Sequence, residues 1–496
     1  MTGVATEYET VIGLEVHAQL LTKSKMYCPC SADYADSPPN THVCPVCLGM
    51  PGVLPVINRQ AVEYTIMTAL ALNCQIAEVS HFDRKNYPYP DLMKGYQISQ
   101  YDMPFSHDGC LEIEVDGQKR RIGITRVHLE EDVARLVHVQ NEAGETYSLV
   151  DVNRSGVPLM EIVGEPDLRS PQEARQYLVK LRQILQYLGV STASMEEGQF
   201  RCDANISIRP LGSQELLGKV EVKNMNSFRA VYRALAYEVE RQRQVVETGD
   251  RIEQETRGWM EEESRTVSQR SKEYAHDYRY FPEPDLPPLT LAREWVEEIR
   301  ARMPELPDAK KERFLRSYGL TEYEVNLLME TRAKADFFEE CLASLADKEE
   351  TKVRQRAKAV SNWLLGDFAR LLNAANMEIE DALVKPEHID EMLDMIDGGI
   401  ISGKIAKTVF EGMFQTGKSA RQIVEEAGLT QISASDELAA VVERVLAANV
   451  KAVRDYESGK EGALRFLVGQ VMRETRGRAN PDLVNQILRE KLAGGG

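Results

Sequence analysis

Short alternating stretches of apolar and polar residues in the first half of the chain predict β-strands. In residues 12–20, IGLEVHAQL, the apolar side chains fall on one face of a strand and Glu15, His17 and Gln19 fall on the other. The same alternation recurs in two further stretches, residues 201–207 and 219–223. Several strands of this kind predict a sheet with one apolar face and one polar face.

Helical periodicity is clear in residues 170–189. Ser170 is followed by Pro171 and, three residues on, by Glu173, which is the pattern of a capping box with proline at the first helical position. Apolar residues then recur at helical spacing until Gly189, where we expect the helix to end.

The pattern changes at the proline-rich segment 281–289, FPEPDLPPL, after which helical spacing dominates. We therefore predict an α+β fold. Its parts are an N-terminal cradle domain with a mixed or antiparallel sheet at 1–290, a helical domain at 291–404 and a helical tail domain at 405–496. Within the cradle, the polar segment 253–276 is predicted to be a mobile loop.

The size of the chain agrees with several domains, because 496 residues exceed what one hydrophobic core usually organises. Hydrophobic residues make up 43%, the mean hydropathy is −0.37, and no apolar run approaches the ~20 residues of a membrane helix. The opening MTGVATEYET lacks a basic region followed by an apolar one, so no secretory signal is expected. We expect a soluble, cytoplasmic protein without membrane contact.

The net charge of −18 argues against a general nucleic-acid coat protein, since phosphate binding depends on Lys and Arg. Residues 401–496 are mildly basic instead. This imbalance suits a protein that holds metal and ATP at one end and RNA at the other, and it equally suits ordinary charge scatter. The basic side chains that cluster there are Lys460, Arg465, Arg473, Arg476 and Arg478.

Four of the eight cysteines form two close pairs. Cys28 and Cys30 precede Cys44 and Cys47 with a short loop between them, and four converging thiolates are typical of a structural zinc site. Reduced free thiols are the alternative, since a disulfide is disfavoured in the cytoplasm. The other four cysteines are predicted to be small core residues: Cys74, Cys110, Cys202 and Cys341.

Residues 83–104, DRKNYPYPDLMKGYQISQYDMP, combine charged and aromatic side chains without helical or strand periodicity. Two Tyr-Pro steps, beginning at Tyr87 and Tyr89, favour extended backbone before each proline. This composition predicts an ordered loop that meets a polar ligand. The alternative is a surface loop whose tyrosines pack on a core.

Acidic residues concentrate in the same half of the chain. Glu130, Glu131 and Asp132 follow one apolar stretch, and Glu161 follows another. Together with the polar strand faces they favour a concave sheet that binds Mg²⁺, because hard divalent ions take carboxylate oxygens and bridge nucleotide phosphates.

One apparent nucleotide-binding motif, a phosphate loop, is rejected. Residues 398–404 fit the pattern G-x4-G-K, but Ile405 stands where Ser or Thr would bind magnesium. The segment also follows an amphipathic helix instead of a strand. We therefore predict a turn between two helices.

Six motifs together give the chain a resemblance to a known family. From about Tyr8 to about Leu492 it resembles the B subunit of the tRNA-dependent amidotransferase, in order and without large gaps. That enzyme converts Glu-tRNA(Gln) to Gln-tRNA(Gln) and, in many organisms, Asp-tRNA(Asn) to Asn-tRNA(Asn). The motifs are the 83–104 segment, IGLEVHAQL (12–20), LVDVNRSG (149–156), RCDANIS (201–207), KNMNSF (223–228) and DYRYFPEPD (277–285).

The resemblance implies that ATP phosphorylates the side-chain carboxylate of the misacylated residue and that ammonia then displaces the phosphate. It implies His17, Glu131 and Glu161 as the Mg²⁺ ligands, with Glu15 beside them. Glu130 ranks below Glu131, because neighbouring strand residues face opposite ways. The remaining catalytic and nucleotide-binding candidates are Asp203, Arg84, Lys85, Arg201, Lys223 and Asn205.

The resemblance also implies partners. Ammonia would come from the amidase subunit of a heterotrimer, and the small third subunit would strap the two larger ones together. The helical tail would hold the tRNA body. Since some members of the family lack the cysteines, Zn²⁺ would be structural and dispensable to the chemistry.

Two other classes of protein stay open on the residues alone: a zinc-containing RNA-binding or assembly factor, and a self-sufficient carboxylate–amine ligase. The acid-bearing strands argue against the first, because a carboxylate cluster repels phosphate unless a metal intervenes. Activity on free glutamate would identify the second.

Overall fold

The computed structural model describes residues 7–271, 278–345, 348–429, 435–475 and 479–493. The chain divides into two compact units, Met1–Pro307 and Asp308–Gly496. Strands lie in the first unit and helices make up the second, which confirms the predicted α+β class. Among the described residues, no helix is long and apolar enough to cross a membrane.

The described part of the first unit contains sixteen strands, nine of which form one large sheet. The strands are β1 (Tyr8–Gln19), β2 (Gln75–Ile76), β3 (Val79–Ser80), β4 (Asp83–Asn86), β5 (Tyr96–Ser99), β6 (Ser106–Val115), β7 (Gln118–Glu131), β8 (Arg135–Gln140), β9 (Thr146–Asp151), β10 (Pro158–Gly164), β11 (Phe200–Pro210), β12 (Val220–Lys223), β13 (Glu255–Met260), β14 (Arg265–Ser271), β15 (Phe281–Pro282) and β16 (Leu289–Thr290). The order in the large sheet is β14-β13-β12-β11-β1-β10-β7-β6-β2, and among the described strands only β12 and β13 run parallel to each other. Smaller sheets join β15-β4-β5, β16-β3 and β8-β9.

Helices cover the apolar face of this sheet. They are α1 (Arg59–Ala71), α2 (Pro171–Leu188), α3 (Phe228–Glu247) and α4 (Arg293–Arg302). Leu14, Val16 and Ile162 of the sheet share one buried core with Leu181 of α2 and Val231 of α3. The opposite face of the central strands is left for polar side chains.

The second unit is helical. Its helices are α5 (Pro307–Tyr318), α6 (Glu322–Leu328), α7 (Arg332–Glu340), α8 (Glu350–Trp363), α9 (Ala369–Ala375), α10 (Pro386–Asp397), α11 (Gly403–Thr416), α12 (Ala420–Ala427), α13 (Ser435–Ala448), α14 (Val450–Glu457), α15 (Gly462–Glu474) and α16 (Pro481–Ala493). A π-helical turn, Leu364–Phe368, joins α8 to α9. Two 3₁₀ turns lie at Ala343–Leu345 and Ile379–Asp381.

The predicted helix 170–189 is confirmed, with one difference at its start. The Ser170 hydroxyl accepts a hydrogen bond from the Glu173 amide at 3.1 Å, and Gly189 ends the helix with a φ of 70°. The Glu173 carboxylate accepts from the amide of Arg169 at 2.7 Å instead of from Ser170. In a regular capping box the Glu173 carboxylate would accept from the amide of Ser170, so here this second hydrogen bond is displaced by one residue toward the N-terminus.

Two segments predicted to be loops contain strands. Residues 253–276 were expected to be mobile, yet β13 and β14 form a hairpin at the edge of the large sheet; residues 272–276 lie outside the described part of the chain. Within residues 83–104, β4 and β5 pair with each other, and β4 also pairs with β15. β15 lies far from β4 along the sequence, and β13 and β14 are rich in charged and polar residues, so local composition does not reveal these strands.

The structure divides the chain at other places than the predicted boundaries. The proline-rich segment 281–289 belongs to the first unit, because β15 and β16 pair with β4 and β3 and Ile299 of α4 lies in its core. The boundary between 404 and 405 falls inside α11. A separate small core lies further on, between α13, α15 and α16, and it includes Leu438, Leu467 and Leu488.

The rejected phosphate loop is a turn between helices, as predicted. Gly398 caps α10 and Ser402 caps α11, with Gly399 at a φ of 68° between them. Among the cysteines predicted for the core, three are buried and one is half-buried; they are Cys74, Cys202 and Cys341, and Cys110.

Candidate active site

A row of ionisable side chains crosses the polar face at the centre of the sheet. His17 on β1 pairs with Glu161 on β10 and with Arg201 on β11, and Glu161 pairs in turn with His128 on β7. Directly paired residues of an antiparallel sheet point to the same face, so this register brings residues from four strands together.

Within this row, His17, Glu130 and Glu161 form a group of possible metal ligands. Their ligand atoms lie within 4.8 Å of one another. The His17 Nε2 atom lies 3.5 Å from Glu130 Oε1 and 3.4 Å from Glu161 Oε2, and His128 Nε2 lies 3.3 Å from the same Glu161 oxygen. Both carboxylates and His128 are buried.

The electrostatics of this group are set by burial and mutual charge. Burial by itself would lower the pKa of His17, but the hydrogen bond and charge of Glu161, with the charge of Glu130, raise it. Burial would raise the pKa of Glu161, but His128 and His17 hold it well below its usual value. The carboxylate of Glu161 is therefore ionised and able to bind a cation.

Glu131, which the resemblance implies as a ligand, lies elsewhere. Its carboxylate contacts the Lys94 ammonium group and accepts a hydrogen bond from the amide of Ile98 at 3.1 Å. The group that the structure brings together thus contains Glu130 in the place where the resemblance implied Glu131.

A β-bulge explains this exchange. The pairing of β10 with β7 shifts register between Val163, opposite Arg126, and Gly164, opposite Ile124, so Thr125 is an extra residue on β7. Before the bulge the even-numbered Ile124 faces the core; after it the odd-numbered Val127 does. Glu130 consequently faces His17, and Glu131 points away from it.

The next layer of the site is centred on Asp132. Its Oδ2 accepts hydrogen bonds from Arg201 Nη2 at 2.6 Å and from Gln19 Nε2 at 2.7 Å, and Arg154 lies 3.7 Å from the other oxygen. Burial would raise the pKa of Asp132, but the charges of Arg201 and Arg154 lower it. The Nε of Arg201 is buried without a hydrogen-bond partner.

The remaining strand candidates form a second polar cluster. The Lys223 ammonium contacts the Asp203 carboxylate and lies 3.3 Å from Glu221. Asn205 donates a hydrogen bond to Glu15 at 3.0 Å. The predicted residues of β1, β11 and β12 therefore share one face, but Glu15 binds Asn205 and is not part of the ligand group.

The two basic candidates of β4 have different surroundings. Arg84 makes a two-pronged pair with the buried Glu283, with both N···O distances 2.7 Å, and its guanidinium lies 4.3 Å from the Tyr96 ring centroid. Lys85 belongs to the acidic site: burial would lower its pKa, but Glu130 and Glu161 raise it. Arg84 thus joins β4 to the chain after β15, and Lys85 is close enough to Glu130 and Glu161 for their charges to raise its pKa.

Tyrosines from two of the motifs, residues 83–104 and 277–285, lie near Lys85. Its Nζ lies 5.1 Å from the Tyr278 ring centroid. The ring of Tyr280 stacks on that of Tyr101 at 4.3 Å with an interplanar angle of 11°. His128 was not predicted from the sequence, because its place on the polar face depends on the bulge.

The four paired cysteines converge as predicted. Cys28, Cys30, Cys44 and Cys47 bring their Sγ atoms within 4.8 Å of one another, and the Cys44 amide lies 3.1 Å from Cys47 Sγ. Hydrogen bonding with Cys28, helped by the charge of Lys25, lowers the pKa of Cys47 to about 4. Four convergent sulfurs, one of them stabilised as thiolate, fit the tetrahedral set that zinc requires.

The chemistry of the donor set at His17 fits a divalent cation. Two buried carboxylates supply the oxygen ligands that Mg²⁺ prefers, and one imidazole completes the group. Among the described residues, His17 is the one basic side chain within ion-pair distance of the buried Glu130 carboxylate. A bound metal ion would therefore neutralise the negative charge of Glu130.

Comparison with known proteins agrees with this geometry. Residues 10–297 match a family described as the GatB/GatE catalytic domain, and residues 336–492 match one described as the GatB domain. The chain belongs to the GatB family.

Several curated relatives of this family match almost the whole chain. One from Carboxydothermus hydrogenoformans is 60% identical over 98% of this chain and 99% of its own length. One from Dehalococcoides mccartyi is 58% identical over 99% of this chain and all of its own length. One from Moorella thermoacetica is 58% identical over 98% of this chain and all of its own length. Each is named as the B subunit of an aspartyl/glutamyl-tRNA(Asn/Gln) amidotransferase.

The two GatB matches divide between the units of the structure. The catalytic-domain match contains the His17 group, the Asp132 layer and the cysteine quartet. The GatB-domain match begins within α7 and ends within α16, so it spans most of the helical unit.

Proposed function

We propose that this chain is the B subunit of an aspartyl/glutamyl-tRNA(Asn/Gln) amidotransferase. It amidates the side chain of Glu on Glu-tRNA(Gln), or of Asp on Asp-tRNA(Asn), at the expense of ATP. The relatives named above support the reaction class, and the observation that supports its location is the group of His17, Glu130 and Glu161 on the polar face.

The reaction needs activation, because a carboxylate is a poor electrophile. An oxygen of the side-chain carboxylate attacks the γ-phosphorus of ATP, and the bond to the β-phosphate oxygen breaks to release ADP. Ammonia then attacks the carbonyl carbon of the acyl phosphate, phosphate leaves, and the nitrogen loses a proton. Most of such catalysis is positioning and stabilisation of negative charge.

The residues of the polar face suit these tasks. His17, Glu130 and Glu161 would hold Mg²⁺, which when bound supplies positive charge to phosphate oxygens. Lys85 holds a second positive charge beside the same carboxylates. The Asp132 carboxylate holds the Arg201 guanidinium in place, and Arg201 pairs with His17 across β1 and β11.

The supporting parts are proposed by the same family relation. Ammonia comes from an amidase subunit, a small third subunit completes the heterotrimer, and the assembly works in the cytoplasm. The helical unit binds the tRNA body. Zn²⁺ on the cysteine quartet is structural, because the quartet is separate from the His17 group.

The test is amidation by the reconstituted heterotrimer. With Glu-tRNA(Gln), ATP, Mg²⁺ and glutamine, the wild type should form Gln-tRNA(Gln), and ATP hydrolysis should rise when the charged tRNA is added. His17→Ala should abolish both while the glutaminase activity of the amidase subunit persists. Amidation of free glutamate would indicate a self-sufficient ligase instead, and tRNA binding without ATP turnover would indicate a binding factor.

A further inference from the structure

Most cations around the polar face are already paired with carboxylates. Arg201 contacts Asp132, and Lys223 contacts Asp203. In each pair the carboxylate already neutralises the cation, so the cation could bind a new anion only by giving up an existing ion pair.

Arg126 on β7 is different. Within the described part of the chain, its guanidinium has no ion pair or hydrogen bond, and its Nε is buried without a partner. A buried N–H without an acceptor costs free energy, typically about 1–3 kcal/mol. An acceptor from a ligand would remove that cost.

The position of Arg126 places it at the candidate active site. It precedes His128 by two residues on the same strand, so both side chains leave the sheet on the polar face. Its strand partner Val163 lies two residues from Glu161. Burial raises the pKa of Tyr280 to about 12; the charges of Glu161 and Glu130 also raise it, whereas those of Lys85 and Arg126 lower it, so Arg126 lies near the same ring as these charges.

A stack of aromatic rings supports the guanidinium. The Arg126 Cζ lies 5.9 Å from the ring centroid of Tyr101, which stacks on Tyr280. The amide of Tyr101 donates a hydrogen bond of 2.8 Å to the buried carboxylate of Asp83, which also lies 3.1 Å from His81 Nε2. This chain of contacts fixes the ring, and an arginine beside a fixed ring keeps its fork oriented while its N–H groups stay available.

We propose that Arg126 binds an oxyanion of the substrates in the amidation reaction. This proposal rests on the proposed function and adds a binding residue to it. Two substrate groups share the required chemistry, the γ-phosphate of ATP and the side-chain carboxylate of the misacylated residue. A guanidinium fork recognises either one through charge-assisted hydrogen bonds.

The two sources are separated by kinetics and by direct binding. We would compare wild-type heterotrimer with Arg126→Gln and Arg126→Lys, using Arg121→Gln, an exposed arginine of the same strand, as the matched control. Calorimetry would give the affinities for ADP and for a non-hydrolysable ATP analogue with Mg²⁺ present. Steady-state amidation would give KM for ATP and KM for Glu-tRNA(Gln).

If the γ-phosphate is the ligand, Arg126→Gln should lower the affinity for the ATP analogue by about 10- to 100-fold, which is the usual effect of losing a charge-assisted hydrogen bond. The affinity for ADP should stay unchanged. If the carboxylate is the ligand, KM for Glu-tRNA(Gln) should rise by a similar factor with nucleotide binding unchanged. Arg126→Lys should lie between, since it keeps the charge but loses the fork. It also serves as the test if the glutamine variant does not fold.

The proposal is overturned if both variants match the Arg121→Gln control in analogue affinity and in both KM values. Failure of the wild type to form Gln-tRNA(Gln) would instead refute the proposed function. In that event the comparison of the analogue with ADP still decides whether Arg126 binds a phosphate.

Discussion

Glu130 and Glu131 are consecutive residues of β7, yet their carboxylates have different partners. Glu130 lies 3.5 Å from the imidazole of His17, whereas Glu131 contacts the ammonium group of Lys94. Adjacent strand residues face opposite ways, so only one of the two can belong to the metal-binding group. In the structure, Glu130 lies in the group of possible metal ligands with His17 and Glu161.

Substituting these two glutamates should separate metal binding from other roles. Glu130→Gln removes a charged ligand and should weaken Mn²⁺ binding by at least the ~10- to 100-fold that loss of an outer-shell partner typically causes. Glu131→Gln leaves the ligand group intact and should change Mn²⁺ affinity little. Electron paramagnetic resonance titration of free Mn²⁺ measures both. A larger loss for Glu131→Gln would restore the assignment implied by the resemblance.

Sequence patterns predict the sheet, the helices and the cysteine quartet because these depend on local spacing. They do not predict which glutamate faces the metal, because Thr125 adds one residue to β7 and reverses the alternation after it. A bulge of this kind is set by pairing with β10, which the sequence of β7 does not reveal. His128 and Arg126 were missed for the same reason.

The hairpin β13–β14 shows a second limit. Its sequence is rich in Glu, Ser and Arg, which resembles a loop, but its charges have partners on α3. Arg257 lies 3.2 Å from the fully buried Glu238, and Arg241 lies 2.8 Å from the other oxygen of that carboxylate. Long-range ion pairs thus replace the apolar contacts by which strands are usually recognised.

Arg257→Met should therefore destabilise the first unit. We expect a loss of about 2 kcal/mol, below the ~3–5 kcal/mol typical of breaking a buried pair, because Arg241 still neutralises Glu238. Urea unfolding followed by the fluorescence of Trp259, which is buried in the same hairpin, would measure it. Arg265→Met is the control, since its pair with Glu263 is exposed and should contribute at most about 1 kcal/mol. Equal losses in the two variants would show that the buried network has no special role.

The cysteine quartet should bind about one equivalent of zinc per chain. Cys47→Ser removes the sulfur with the lowered pKa and should reduce the zinc content, and it should lower the unfolding temperature because bound metal stabilises the folded state. Elemental analysis and thermal unfolding measure the two effects. Cys341→Ser, at a lone buried cysteine of the second unit, should keep the full zinc content. Absence of zinc from wild type purified without chelator would contradict the assignment.

The C-terminal end of the helical unit should be removable without unfolding the rest of the chain only if the truncation lies after α12. The core of α13, α15 and α16 is distinct, so a chain ending at Leu429 should remain folded and keep its Mn²⁺ affinity. A chain ending at Lys404 removes Phe410, whose ring lies 5.6 Å from that of Phe368 and 5.2 Å from that of Trp363. That second truncation should expose an aromatic core and aggregate, unlike the first.

The shorter deletion also tests the tail as the tRNA-binding part. Loss of residues after Leu429 should weaken binding of Glu-tRNA(Gln) and reduce its dependence on salt, because fewer phosphate contacts release fewer counterions. Arg465 and Arg473 are exposed on α15 and are the described candidates for those contacts; Arg476 and Arg478 lie outside the described residues. Fluorescence anisotropy at two salt concentrations, with Arg465→Gln and Arg473→Gln compared with the truncation, measures the effect. Unchanged affinity in the truncated chain would place the tRNA contacts in the first unit or on another subunit of the proposed heterotrimer.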